Sequence, residues 1–231
     1  MSNIEISVEN TCDAKFNNTI KVKTMPNNNA RGSAGQFFVA AELCRRDLVA
    51  VVTMGNTPNT DILCSNVEGT KFVHIQVKTF DPQIRKVTVG EKAEKAYGDN
   101  FFWVLAGVPK NNTDNEHEYY IIPSSVVAKN VKEGHDKWLN TLGKGGKAHN
   151  QTPMRIIDLP PKTSSAGWSV EQYKNRWDII EGTLDSNFNS YAEYLQDQAD
   201  RKESKRLGEL EAEIRKEARQ VKLKHRGKKD I

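Results

Sequence analysis

The spacing of hydrophobic and polar residues changes several times along the chain, and each change predicts an element. From Gly32 to Arg46, the apolar residues Phe37, Phe38, Ala40, Ala41, Leu43 and Cys44 form one broad side, which predicts a helix. After Asp47, the β-branched run from Leu48 to Thr53 predicts a strand. Gly55 to Thr60 is dense in turn formers and predicts a loop. DILCS from Asp61 and KFVHIQVKT from Lys71 predict two strands, with a turn near Glu68 and Gly69. Glu91 to Tyr97 suits a short helix. FFWVLAGV from Phe101 is almost continuously apolar, as in a strand covered on both faces. EYYIIP from Glu118 predicts a further strand ending at Pro123. Ser124 or Ser125 can then cap a helix through Val126, Val127 and Val131.

The second half is less regular. His135 to Asn150 starts helical and ends in a mobile loop rich in Gly and Lys, and Trp168 to Ile180 suits one short amphipathic helix. Helices alternating with strands imply a central sheet with helical cover. From Asn189 onward there is no proline and only Gly208 among strong helix formers, which predicts a long protruding helix. Its apolar positions thin to Leu207, Leu210, Ile214, Val221 and Leu223, too sparse to require a coiled coil. The expected division is an irregular arm over residues 1–30, with a short strand at Ile20 to Val22, an α/β body over 31–182, and a charged helix with a basic tail over 183–231.

Composition narrows the class. At 231 residues, 37% hydrophobic and 28% charged, the chain suits one full domain with a sizeable appendage, or two small domains. It has no apolar run near the ~20 residues a membrane span needs. The first residues lack the basic start and apolar centre of a secretory signal, so the cytoplasm is the expected compartment. Cys12, Cys44 and Cys64 lack C-x-x-C spacing, so reduced, mostly buried thiols are expected and a zinc site is not. The net charge is +4, and from Asp197 onward 12 basic and 8 acidic residues carry all of that excess. Within that stretch Arg219, Lys222, Lys224, Arg226, Lys228 and Lys229 follow one another without an acid. Such a run collects phosphates or keeps a terminus solvated, and nothing in the sequence decides between the two.

The candidate chemistry lies in the second of the paired strands. Alternation puts His74, Gln76 and Lys78 on one face and Val73, Ile75 and Val77 on the other. Polar side chains over a sheet interior need partners, and Asp61, opening the neighbouring strand, is the natural one. The set suits phosphodiester hydrolysis. Asp61 offers two hard oxygens, Gln76 an amide oxygen and Val77 a backbone carbonyl to Mg2+, with Mn2+ as a substitute. Lys78 would hold or deprotonate the attacking water and offset transition-state charge. A second carboxylate would strengthen such a site. Glu42, Gln36, Asp81 and Glu68 are the candidates for support, and the sequence does not choose among them. The opposite reading places Gln76 and Lys78 on a solvent-facing edge strand, where a lysine guards against edge pairing. His74 reads more readily as a structural histidine than a catalytic one.

Arg85 and Lys86, just past this strand, are placed to touch a nucleic-acid backbone. Lys144, Lys147 and His149, in the glycine-rich loop, are further candidates, although Ala148 after Lys147 does not fit a P-loop. Trp138 and Trp177 read as core anchors. No organic cofactor is indicated.

At these residues the chain resembles the PD-(D/E)XK nuclease superfamily, specifically a restriction-endonuclease-like group of uncharacterised bacterial proteins. PNTD (Pro58 to Asp61) matches the acidic half of the motif and QVK (Gln76 to Lys78) the second half. RGSAGQFFVAAELCRRDL resembles the opening helix, with Gln36 where a metal-assisting Glu is common. IIPSSVVAKN, HDKWLNTLGKGGKAHN and YKNRWDII also resemble recurring segments of this group. The resemblance spans roughly residues 30 to 182. It implies a central mixed β-sheet flanked by helices, and Mg-dependent endonuclease cleavage of DNA that leaves a 5′-phosphate, in restriction or another DNA-processing role. Asp61 would bind the metal, Gln76 would replace the second acid and Lys78 would be the catalytic lysine. Gln76 and Gln36 are neutral where acids are commoner, which keeps open a DNA-binding protein that has lost cleavage. A third reading is an interaction protein that forms a homodimer, or holds another partner, through the long helix.

Overall fold

The computed structural model describes residues 28–54, 57–109, 116–185, 187–188 and 191–226. In chain order the elements are α1 (Asn28–Cys44), β1 (Val49–Val52), β2 (Ile62–Ser65), β3 (Phe72–Phe80), β4 (Lys86–Gly90), β5 (Phe101–Gly107) and β6 (Glu118–Pro123). They continue with α2 (Ser124–Leu139), β7 (Met154–Asp158), α3 (Asp178–Leu184) and α4 (Tyr191–Arg226). Short 3-10 turns occupy Glu91–Glu94, Lys144–Gly146 and Glu171–Tyr173.

Five strands form a mixed sheet in the order β1-β2-β3-β5-β6. The β3–β5 pair is parallel and the other pairs are antiparallel. β4 and β7 pair separately as an antiparallel ribbon. On one face of the main sheet Val73, Ile75, Val77, Phe102 and Val104 pack beneath Val39 and Leu43 of α1 and Ile179 and Ile180 of α3. On the other, Phe101, Trp103, Leu105 and Ile122 meet Val127 and Val131 of α2 and Val87, Val89 and Ile157 of the ribbon. Two-sided cover explains why every residue of β5 is buried and why its sequence lacks alternation. The molecule is thus an α/β fold with a mixed central sheet flanked by helices and a long C-terminal helix of 36 residues.

The structure departs from the sequence reading in definite places. The ribbon strands β4 and β7 were not expected. Their alternating burial is regular but confined to five residues each. The single helix expected from Trp168 to Ile180 is split into a 3-10 turn and α3, because Asn175 adopts a left-handed φ of 53° between them. Ser124 does not cap α2. Its hydroxyl accepts the Tyr97 N–H at 3.1 Å and donates to the Gly98 carbonyl at 3.0 Å, which ties the entry of β5 to the start of α2. Cys64 is buried, which pushes its thiol up to about 12, whereas Cys44 is exposed. No helix among the described residues is long and apolar enough to cross a membrane. The strand at Ile20 to Val22, Cys12, Lys228, Lys229 and the side chains of Arg219, Lys222, Lys224 and Arg226 lie outside what is described.

Candidate active site

The site is created by a difference in strand length. β2 pairs only from Ile62 to Ser65, against Ile75 to Phe72 of β3, whereas β3 runs on to Phe80. Beyond Ile75 the β3 backbone therefore loses its β2 neighbour, and a notch opens in the sheet. Asp61 stands at the corner. Its N–H donates to the Ile75 carbonyl at 2.9 Å, and its Oδ2 accepts the Val77 N–H at 2.7 Å, where a strand carbonyl would otherwise sit. Gln76 Nε2 donates to the same oxygen in a close contact. Gln36 of α1 lines the same pocket beside the carboxylate.

Gln36 is brought there by Gly35. A Cβ at Gly35 would overlap the Thr79 side chain of β3, so only glycine lets α1 sit this close to the notch. Thr79 Oγ1 also donates to the Gly32 carbonyl at 3.4 Å. The notch is an open pocket of about 330 Å³ lined by Arg31, Gly32, Gln36, Asp61, Gln76, Val77, Lys78 and Thr79. Arg31 was not a sequence candidate. It forms an ion pair with the buried Asp81 at 3.5 Å and donates to the Val108 carbonyl at 3.1 Å, which fixes one rim.

Burial pushes the Asp61 carboxyl above the ordinary range, against the pull of the Val77 N–H, the Lys78 charge and the side-chain amides of Gln36 and Gln76. Lys78 is half-buried and makes no hydrogen bond or ion pair with any described residue. Its ammonium is free for a ligand in the pocket.

The donor set can be tested against a metal. Among the described residues no three His, Cys, Asp or Glu side chains converge, so an ion fully caged by protein ligands is not supported. The notch instead collects one carboxylate, two carboxamides and a backbone carbonyl. Val77 lies two residues beyond Ile75, so by strand alternation its C=O points the same way, past the end of β2. These are all hard oxygens. They fit Mg2+, which keeps several waters and is often held by one or two carboxylates plus substrate phosphates.

Other sequence candidates fall elsewhere. Glu42 is paired with Arg45 at 3.0 Å and Arg46 at 2.7 Å, which hold its carboxyl below the usual range, and it lines a different hollow with Phe38 and Trp177. His74 shares a 3.3 Å hydrogen bond with the Thr60 hydroxyl and stacks over Phe101, outside the pocket. Arg85 is committed within the protein. It grips Glu118 through both amino groups, at 2.7 and 3.2 Å, and donates to the Pro160 and Pro82 carbonyls. It is therefore a structural arginine, not a free phosphate contact. Lys86 is exposed on the ribbon opposite Asp158. Lys144 and Lys147 are exposed on a loop closed by internal contacts. Gly143 N–H donates to the Lys147 carbonyl at 2.8 Å, and His149 stacks on Trp138 with 4.1 Å between ring centres. His149 Nδ1 also bonds the Trp138 carbonyl at 2.7 Å, so that imidazole serves the loop. β3 is third in an order of five strands, but beyond Ile75 only β5 pairs with it, so Gln76 and Lys78 stand on a stretch with one open backbone side, and their side chains are half-buried instead of facing open solvent.

Comparison with known proteins adds little beyond this geometry. No family model matches the chain, and no curated protein matches it. Among solved structures the chain is similar to a Holliday junction resolvase, Hjc of Archaeoglobus fulgidus, at 15% identity, over 55% of this chain and 83% of that one, with a TM-score of 0.32. It is also similar to the bacterial homing endonuclease I-Ssp6803I at 16% identity, over 77% of this chain and 99% of that one, with a TM-score of 0.41. Likeness this distant carries no argument about chemistry.

Proposed function

We propose that the protein is a metal-dependent endonuclease that hydrolyses phosphodiester bonds of DNA, with Asp61, Gln76 and Lys78 as its reacting group. The observation that carries this reading is the notch itself. A single sheet defect gathers a carboxylate, two carboxamides and an uncommitted ammonium around an open pocket.

Bound there, Mg2+ or Mn2+ would polarise the phosphate and acidify a water. Gln76 and the Val77 N–H hold the Asp61 carboxylate in one orientation, with Gln36 beside it in the pocket, so little rearrangement is needed when substrate arrives. Lys78 orients the attacking water and offsets the negative charge that builds on the phosphorus centre. Its four-carbon stem is anchored in the middle strand, which keeps the ammonium near the acid.

The test is cleavage of supercoiled and branched DNA by purified protein in Mg2+ and Mn2+. Lys78→Ala and Asp61→Ala should each abolish cutting while circular dichroism and the melting transition stay those of a folded chain. Wild-type protein that cuts no DNA across metals, sequences and modification states would overturn the reading. The neutral Gln36 and Gln76, beside a lone carboxylate, favour one second reading, a DNA-binding protein that keeps the fold without cleavage. Salt-sensitive DNA binding with neither metal uptake nor cutting would establish that alternative.

A further inference from the structure

On the far side of Gln76 and Lys78 lies a second pocket, of about 380 Å³, lined by Thr57, Pro58, Asn59, Gln76, Lys78, Gly90, Lys92 and Trp103. Gln76 and Lys78 line both hollows, so the two adjoin at these side chains. Their chemistry differs. The first contains the Asp61 carboxylate, whereas the second has no acidic residue among its described lining residues. Its walls offer two ammonium groups, two carboxamides, a threonine and an indole.

Trp103 supplies the second, independent observation. It pairs in register with Gln76 across the parallel β3–β5 ladder, and only 4% of its surface is exposed. Its Nε1 is buried and has no hydrogen-bond partner. A buried indole N–H is donor-only, so it needs an acceptor that the protein does not provide. Lys92 is exposed at the mouth, and its ammonium makes no hydrogen bond or ion pair with any described residue. Its position is fixed from below. The buried Arg155 of β7 binds Glu94 closely, which fastens the Glu91–Glu94 turn that carries Lys92 to the ribbon.

We infer that this second pocket is a subsite for a phosphodiester of the nucleic-acid strand, the neighbour of the phosphate seated over Asp61. Lys92 meets the phosphate charge, Lys78 lies between the two phosphates, and donation by the Trp103 N–H, which is closed to solvent in the unbound chain, requires the pocket to open on binding. This rests on the proposed nuclease reading, and it adds that the enzyme engages at least two successive phosphates of one strand. Sequence reasoning passed over both residues because Trp103 sits within a continuous apolar run and Lys92 within an unremarkable charged turn. The signal available was register, since a polar strand beside an apolar one sets Trp103 next to Gln76.

The test separates the subsite from the reaction. Binding of a fluorescein-labelled DNA is measured in EDTA by anisotropy, so no cleavage is required. Lys92→Ala should weaken binding about tenfold and lower the slope of log K against log salt by about one. Replacing one phosphate at a time by neutral methylphosphonate should reveal a position that weakens wild type but not Lys92→Ala. In 15N-labelled protein, the indole resonance missing from Trp103→Phe should shift when DNA is added to wild type. Should Trp103→Phe fail to fold, the Lys92 and methylphosphonate measurements still decide.

Unchanged affinity and salt slope in Lys92→Ala would overturn the subsite. So would an equal response to inorganic phosphate with no sensitive methylphosphonate position, which would assign the pocket to a free anion. Wild type that binds with this signature but never cuts would uphold the subsite and remove the nuclease reading. Cutting without the signature would do the reverse.

Discussion

Two glycines in the same helix should respond oppositely to the same substitution. Gly32 and Gly35 both lie in α1. At Gly32 an added Cβ meets nothing within 4 Å, so Gly32→Ala gains only helix propensity, about 0.8–1 kcal/mol. At Gly35 the same gain is set against overlap with the Thr79 side chain, an overpacking cost of roughly 1–3 kcal/mol. The stability difference between the two single variants should therefore be about 1–3 kcal/mol, with Gly35→Ala the weaker. Because the overlap is relieved by moving α1 off β3, Gly35→Ala should also carry Gln36 away from Asp61 and reduce DNA cutting. Adding Thr79→Ala removes the hydroxyl but leaves the two Cβ atoms about 3.0 Å apart, so the double variant should recover only in part. Urea unfolding of the four proteins measures this directly. Equal stability of Gly32→Ala and Gly35→Ala would show that the helix does not approach the notch as described.

Further consequences can be measured in the same way. Because burial raises the Asp61 carboxyl, the folded chain binds its proton more tightly than the unfolded chain does, and stability falls as pH rises through the folded pKa. Asp61→Asn should thus be more stable than wild type at pH 7, with the advantage vanishing in acid, while cleavage is lost; urea midpoints at the two pH values test this. Arg85→Ala strips Glu118 of a bidentate partner and should cost about 1.5–3 kcal/mol in thermal or urea unfolding. The salt slope of DNA binding should stay unchanged, since Arg85 is already bonded within the protein. Deleting residues 202–231 removes the part of α4 where Leu207, Leu210 and Ile214 are 53%, 53% and 57% exposed. The melting temperature of the body should be unaffected, and the number of chains per particle in sedimentation should fall only if that helix joins two chains.

Much of the main sheet was legible because its strands differ in kind. The apolar run at Phe101 announced a doubly covered strand, and the alternating His74, Gln76 and Lys78 announced a polar face. Asp61 could be paired with Gln76 and Lys78 because a strand start beside an alternating strand leaves few other partners. The remainder depended on distances along the chain that no local pattern carries. The ribbon joins Gly90 to Met154, and five alternating residues at each end do not name their partner. The choice of Gln36 over Glu42 turned on which side of α1 Gly35 presses against Thr79. Arg85 looked like a free cation because its acceptors, Glu118 and Pro160, come from much later in the chain. Trp168 to Ile180 had the right composition for a helix, and one left-handed asparagine divided it.

The ribbon bears on how the molecule comes into being. β1, β2 and β3 pair with neighbours close in sequence, as do β5 and β6, so the acidic corner can assemble from short loops. β4 must wait for β7, and only then does Arg155 fasten the turn that holds Lys92. A chain still emerging from synthesis would hold Asp61 and Lys78 together before its grip on the strand was finished, and full engagement with a polymer would come only after residue 158 had docked.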